Sequence, residues 1–458
     1  MKRILTIIAA LVTFVATASA QDECFAIAVG RSASVDGSVI YGHNEDDRGE
    51  QLVNMYVTQS QPAPSPRDYG RQTAKYLWAE LAGMVVADAF LNEYGVCIVS
   101  DNCKSREDKP ELIDGGVLYE IRLNVARYAR TAREGVKIIG DLVERYGYNQ
   151  SGRTYVIADT REAWFVVVVY GRHWAAARVP DDEVALMSNF YTVTKIDLED
   201  TENYAGSADI IQYAVERGWY DPIRDGEFSF RKAYASKASI TSEHNIKRLS
   251  RALRHVTGKD YGQDPLKFPF SVKPANGPLG VADAIKVLSL HYDFGSESHH
   301  GDRTCICNNN TVLSTIFHLR GNMPRETGCI MWTAMGHPCS EAFIPWYLGI
   351  SKAPKRFARF NDDWKKAEKK HFDGTKSYRK SFPKVRYWDY VKRWEALQAN
   401  ESLYQKRRES VTAFQKKLFD AQGAFEKECK NLSGRQLTKK LDNYLNDCYK
   451  AYEKTWKD

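Results

Sequence analysis

The sequence predicts an α+β fold: two antiparallel sheets stacked face to face, helices on their outer faces, and a helical extension at the C-terminus. Two observations predict the sandwich. Strand-like runs come in blocks, and helical patterns come in pairs between those blocks, without the strict strand–helix alternation of a parallel doubly wound sheet. A third predicts the extension. Residues 24–350 carry 35 Lys and Arg against 41 Asp and Glu, whereas residues 351–458 carry 28 against 15, a step from −6 to +13. The chain of 458 residues has room for one large domain and such an extension, and its 43% hydrophobic content excludes wholesale disorder.

The first element is not part of the fold. Lys2 and Arg3 precede a twelve-residue apolar run, Ile4 to Val15, and Ala18-Ser19-Ala20 follows in the small-x-small pattern of a signal-peptidase site. Residues 1–20 read as a signal peptide and 21–23 as a short propeptide, so the chain is expected to be exported, periplasmic or secreted. Later apolar runs are too short to span a bilayer, the longest being the eight residues Ala163 to Tyr170.

From Cys24 a strand to Val29, a turn at Val35-Asp36-Gly37-Ser38 and a second strand from Val39 to His43 form a hairpin. Val85 to Val99 reads as further strand, broken by a turn at Asn92-Glu93-Tyr94-Gly95. Residues 116–130 are helical, with Val117, Leu118, Ile121, Val125 and Tyr128 on the apolar face. Thr131 and Glu134 have the spacing of a capping box for a second helix, closed by Gly147. Four strands follow: Thr154 to Ala158, Ala163 to Val169, Trp174 to Val179 and Val184 to Ser188. Ser207 caps a helix that ends near Gly218. Helical patterns over 242–256 and 281–291 then lead to strands near 311–319, 328–335 and 342–347. In the tail, Lys365-Lys366, Lys369-Lys370, Arg407-Arg408 and Lys416-Lys417 lie at helical spacing among Trp, Tyr, Phe and Leu. They read as amphipathic helices with solvated basic faces, not as a nucleic-acid surface.

The sequence has no Gly-x-Ser-x-Gly elbow, no Walker loop and no Gly-x-Gly-x-x-Gly, which weighs against the corresponding hydrolases, NTPases and dinucleotide enzymes. His299, His300, Asp302, Cys305 and Cys307 are metal-ligand types, but Cys-x-Cys is tighter than ordinary zinc spacing, and the segment reads as a surface turn. Nine cysteines leave one over from any full set of disulfides. Cys24 is the one set apart by position. If residues 1–23 are removed, its thiol and an α-amine belong to one residue. With ordinary values near ~8.5 and ~7.7–8.0, the amine can take the thiol proton at neutral pH. Alone, a cysteine near a mature terminus reads more often as half of a disulfide. The remaining eight can pair completely, locally as Cys97 with Cys103 and Cys429 with Cys448.

Cys24-Phe-Ala-Ile-Ala-Val-Gly30, Ser34-Val-Asp-Gly-Ser38 and Tyr41-Gly-His-Asn-Glu-Asp46 resemble the opening of the C69 dipeptidases, N-terminal-nucleophile hydrolases related to bile salt hydrolase and penicillin V acylase. The resemblance continues through Trp174-Ala-Ala-Ala-Arg-Val-Pro-Asp-Asp182, Met187-Ser-Asn189, Glu202-Asn-Tyr204, Gly218-Trp-Tyr-Asp-Pro222 and Phe228-Ser-Phe-Arg-Lys-Ala-Tyr234. His291-Tyr-Asp293 and Ala342-Phe-Ile-Pro-Trp-Tyr347 carry it to about residue 350. It implies a four-layer αββα sandwich of the N-terminal-nucleophile type and a cysteine nucleophile exposed by processing. On this resemblance Cys24 matches the nucleophile, and Asp46 the acidic residue beside its amine. Asn102 and Asn189 match polar groups around the oxyanion, and Arg231 a structural arginine near the site. Where the wider superfamily has arginine, this chain has His43. Taken singly, each has a plainer reading: Asp46 ends a hairpin, Asn102 makes an Asx turn, Asn189 caps a strand, His43 packs in the core, and Arg231 is a surface or ion-pair residue.

Residues and resemblance together give the expectation of an exported cysteine-type dipeptidase acting on short peptides through a thioester. No metal or organic cofactor, no nucleic-acid partner and no stable membrane insertion is expected, and an oligomer is compatible with the sequence. Two alternatives stay open: an amidase of the same superfamily acting on an acyl or bile-acid amide, and a non-catalytic envelope-binding protein whose Cys24 lies in a disulfide. The expected domains are a catalytic unit over 24–350 and a basic helical extension over 351–458.

Overall fold

The alternating strands sort their side chains into two separate cores, and this sorting builds the layers. In the computed structural model, which describes residues 24–47, 51–62, 71–81, 88–291, 304–357 and 378–456, fifteen strands form two antiparallel sheets. The predicted leader and propeptide, the start of the Val85 to Val99 run, His299, His300, Asp302, and Lys365 to Lys370 lie outside the described residues. The first sheet runs β12 (Ser271–Val272), β10 (Val184–Met187), β1 (Phe25–Val29), β2 (Val39–Asp46), β13 (Thr311–Leu319), β14 (Cys329–Met335) and β15 (Ile344–Tyr347). The second runs β11 (Tyr204–Gly206), β9 (Trp174–Arg178), β8 (Ala163–Gly171), β7 (Tyr148–Ala158), β6 (Cys97–Asn102), β5 (Ala89–Asn92), β4 (Tyr76–Leu81) and β3 (Val53–Thr58).

Successive side chains of a strand face opposite sides of the sheet. Along β8, Phe165, Val167 and Val169 enter the core between the sheets, while Trp164, Val166 and Val168 enter an outer core with Val136, Ile139 and Val143. Those last three belong to α2 (Ala132–Tyr146), which with α1 (Glu120–Tyr128) covers the second sheet. Thr131 Oγ1 accepts from the Glu134 amide at 3.1 Å, as the capping pattern predicts, but Glu134 reaches the Arg130 amide at 2.9 Å. Because both faces of β8 are covered, its sequence is a continuous apolar run instead of a half-polar alternation.

The short helices α3 (Ile210–Glu216), α4 (Phe230–Tyr234) and α5 (Lys237–Ile240) lead to α6 (Glu243–Thr257), which lies on β10. Helix α7 (Val281–Leu288) lies on β1, β2 and β13 and completes the helix–sheet–sheet–helix order. The four-layer sandwich is therefore as expected. After the single turn α8 (Arg325–Gly328) and β15, the described tail is helical: α9 (Tyr378–Ser381), α10 (Tyr387–Gln398), α11 (Glu401–Cys429) and α12 (Gly434–Lys454). Helix α12 packs on β15, where Trp346 Nε1 donates to Tyr449 Oη at 3.0 Å. None of the described helices is long and apolar enough to cross a membrane.

All nine cysteines are buried. The expected Cys97–Cys103 bridge is excluded by geometry. Cys97 begins β6 and Cys103 follows its end, about 20 Å along an extended strand, against the roughly 7 Å limit for bridged Cα atoms. Cys429 and Cys448, on adjacent helices, are not joined either.

Candidate active site

The registers of β1 place Cys24 at the centre of the first sheet. Phe25 pairs with Asn44 on β2, and Ala26 pairs with Met187 on β10. Continuing each ladder toward the start of β1 sets Cys24 beside Glu45 on one side and Asn189 on the other. Cys24 is buried, and its thiol lies 3.5 Å from Glu45 Oε2 and 3.8 Å from the Asp46 carbonyl oxygen. Tyr41, His43 and Glu45 share the face of β2 that looks between the sheets, whereas Gly42, Asn44 and Asp46 look toward α7 and residues 306–308.

Three acids, an imidazole and a guanidinium meet in that inter-sheet layer. His43 Nε2 is 2.6 Å from Asp101 Oδ1 on β6, its Nδ1 is 3.7 Å from Asp88 Oδ2, and its Nε2 is 4.0 Å from Glu45 Oε2. Burial disfavours the imidazolium, but the adjacent Asp101, with Asp88 and Asp46 behind it, raises the His43 pKa above its ordinary value. Arg122 on α1 supplies the guanidinium, with Nη1 3.3 Å from Asp88 Oδ1. Burial, and then the Asp88 charge, pushes the Glu45 carboxyl well above the usual range. One donor atom from each of Cys24, His43 and Glu45 falls within 4.8 Å of the others.

On the other side of Cys24 the decisive residue is Arg248, which the sequence reading missed. Fully buried on α6, it donates from Nη1 to the Cys24 carbonyl at 2.9 Å and from Nη2 to Asn189 Oδ1 at 2.8 Å. Its Nη2 also reaches Asn245 Oδ1 at 2.9 Å, and Asn245 Nδ2 returns to the Asn189 carbonyl at 3.1 Å. Asn189 Nδ2 then donates to the Asn102 carbonyl at 3.2 Å, joining the ends of β10 and β6 across the two sheets. The signal was in the pattern of α6. Asn245 and Arg248 occupy one face with Leu249, Ala252, Leu253 and Val256, so two polar residues continue an apolar stripe. A polar pair in such a stripe requires buried partners.

Cys24, His43, Asn102 and Asn189 are thus brought together. Asp46 joins through its backbone carbonyl, while its carboxylate turns to the other face and accepts from Asn308 Nδ2 at 2.5 Å. Arg231 stands apart. Its guanidinium donates to the carbonyls of Tyr191, Thr192, Pro265 and Phe268, and burial lowers its pKa to about 10. It is not a surface residue; it pins the segment that leaves Asn189. Asp101, Asp88, Glu45, Arg122 and Asn308 are further participants that carry no motif of their own.

Two groups of described residues have metal-ligand chemistry: Cys24, His43 and Glu45, and, separately, His291, Cys307 and Cys339. In the first, the imidazole is occupied by Asp101.

A family model described as Peptidase family C69 matches residues 99–399. Dipeptidase A of Lactobacillus helveticus is 24% identical over 462 residues, covering 92% of each chain. The probable dipeptidase of Latilactobacillus sakei is 27% identical over 366 residues, covering 73% of this chain and 76% of that protein. Among solved structures, penicillin V acylase from Agrobacterium tumefaciens is similar at 11% identity and a TM-score of 0.36, covering 71% of this chain and 86% of that one. The family match begins beyond Cys24, His43 and Asp46.

Proposed function

Because the chain belongs to peptidase family C69, we propose that it is an exported cysteine-type dipeptidase whose nucleophile is Cys24, exposed as the N-terminal residue by removal of residues 1–23. The observation that carries this reading is the convergence on one cysteine. Arg248 grips its carbonyl, and His43 and Glu45 lie within 4.8 Å of its sulfur. The grip holds the backbone of Cys24, so amine and thiol are aimed together.

In this mechanism the Cys24 amine takes the thiol proton and the thiolate attacks the scissile carbonyl of a dipeptide. Asn189 Nδ2, which donates to the Asn102 carbonyl at 3.2 Å, turns to the developing oxyanion. The Cys24 ammonium protonates the leaving amine, a thioester forms, and the same amine then activates water. Asp46 fixes the turn of chain beside the amine, held in place by Asn308. Residues 24–350 form the catalytic unit, and residues 351–458 form an extension that walls one end of the first sheet.

The test is N-terminal sequencing and intact mass of the exported protein, paired with assays on Ala-Ala and on an acyl amide. A chain starting at Cys24 that hydrolyses Ala-Ala, and loses that activity in Cys24→Ala, is expected. A chain that starts at Gln21 and hydrolyses neither substrate sinks the enzyme reading. Activity on the acyl amide alone replaces the substrate class.

A further inference from the structure

We propose that His291, Cys307 and Cys339 form a structural site for a thiophilic divalent cation, zinc in the first instance, away from the nucleophile. Cys307 lies on the segment entering β13, Cys339 on the segment leaving β14, and His291 just past α7. One donor atom from each falls within 4.8 Å of the others. Tetrahedral zinc, bound at about 2.0–2.3 Å, holds its donors roughly 3.3–3.8 Å apart, so small side-chain adjustments close the site.

The surroundings argue for a cation. Cys307 is fully buried, and the two sulfurs sit in a cluster with Trp394, Leu397 and Tyr404 from the extension. A divalent cation displaces both thiol protons, and two thiolates with one neutral imidazole then make a group of zero net charge, suited to an apolar cage. A Cys307–Cys339 disulfide is the competing use of the two sulfurs and does not involve the imidazole. The tight Cys305-x-Cys307 spacing, which spoke against a metal in the sequence, ceases to matter because Cys307 partners Cys339 instead.

The site also touches the active strand. Ile306, next to Cys307, accepts from Asn44 Nδ2 at 3.1 Å, and Asn308, on its other side, donates to Asp46. Anchoring Cys307 therefore anchors both contacts to β2.

The experiment uses the full chain in a Cys24→Ala background, which removes the other donor cluster, purified under reducing conditions and dialysed against zinc. Elemental analysis should find about one zinc per chain after gel filtration, lost in Cys307→Ser and Cys339→Ser and weakened at least ~10-fold in His291→Ala. Cobalt loading should give thiolate-to-metal charge-transfer absorption. Three results overturn the proposal: no retained zinc, zinc undiminished in both serine variants, or a Cys307–Cys339 disulfide in non-reducing peptide maps. If the serine variants do not fold, the cobalt spectrum of the unsubstituted site decides, since absence of thiolate bands rejects it. None of these readouts depends on peptidase activity, so they stand or fall separately from the proposed function.

Discussion

His43 is a buried imidazole whose protonated form is favoured by its neighbours, so its contribution depends on pH in a definite direction. Asp101 raises its folded pKa above the unfolded value near ~6.5. The stabilisation is fully present below about pH 6.5 and is lost as pH rises through the higher folded value. Glu45, also held well above its ordinary range, acts with the same sign, its contribution being lost as pH rises from the unfolded carboxylate value near ~4.3 through its higher folded value. Urea unfolding should therefore show wild-type stability falling across the histidine window, and His43→Gln should lose that slope. The substitution should also cost about 3–5 kcal/mol near neutral pH, because Asp101 is left buried without its partner. A variant with wild-type stability and slope would mean that the imidazole is neutral. Arg248 makes a different prediction. Its forked contacts to the Cys24 carbonyl, Asn189 and Asn245 need a guanidinium, so Arg248→Lys should keep the charge and lose the geometry. We expect kcat to fall by about 10²-fold with KM nearly unchanged, as for loss of an oxyanion contact. His43 was legible in the sequence through its place in the Gly-His-Asn-Glu-Asp run. Arg248 was not, because nothing in a helical arginine tells which distant carbonyl it will meet.

Among the elements, legibility followed burial. Strands β1, β2, β7, β8, β13 and β14 were visible because apolar layers cover both of their faces. β3, β11 and β12 were missed: each lies at a sheet edge, and the last two have three and two residues. β4 was missed because Tyr-Leu-Trp-Ala-Glu-Leu has no clean period-two pattern. Helix α2 was read correctly, but its packing was not. A Cβ on Gly140 would lie 2.2 Å from Trp174 Cζ2, and the indole is held by its Nε1 bond to Glu144 at 2.7 Å. Helix propensity alone favours Gly140→Ala by about 1 kcal/mol. Overpacking against a fixed ring costs roughly 1–3 kcal/mol and should win, lowering the melting temperature. A rise in melting temperature would show that Trp174 moves aside freely.

At the scale of the whole molecule, the charge step at residue 350 and the distribution of apolar contacts point in different directions. Charge divides the chain into an acidic part and a basic part, yet one hydrophobic cluster contains Phe25 and Trp346 together with Phe414, Leu418, Leu441, Tyr449 and Tyr452 of the extension. The seam is polar as well as apolar. Arg320 binds Glu426 through two bonds of 2.7 and 2.8 Å, the Ala342 amide donates to Tyr452 Oη at 2.9 Å, and the Phe343 amide donates to Gln415 Oε1 at 2.8 Å. Glu341, buried and with its pKa raised by that burial, is faced by Arg393 and Arg407 from α10 and α11. Cutting the chain after Ile350 would expose this apolar face and leave Glu341 without both cations. Among the described residues, Lys406, Arg408, Lys416, Lys417 and Lys427 are exposed on a helix whose inner face finishes the core, so a step in net charge need not mark an independent unit. The full chain should unfold in a single calorimetric transition, with calorimetric and van't Hoff enthalpies equal, and residues 24–350 alone should aggregate. Two resolved transitions, or a well-folded 24–350 fragment, would make the extension a separate domain that merely rests on the first.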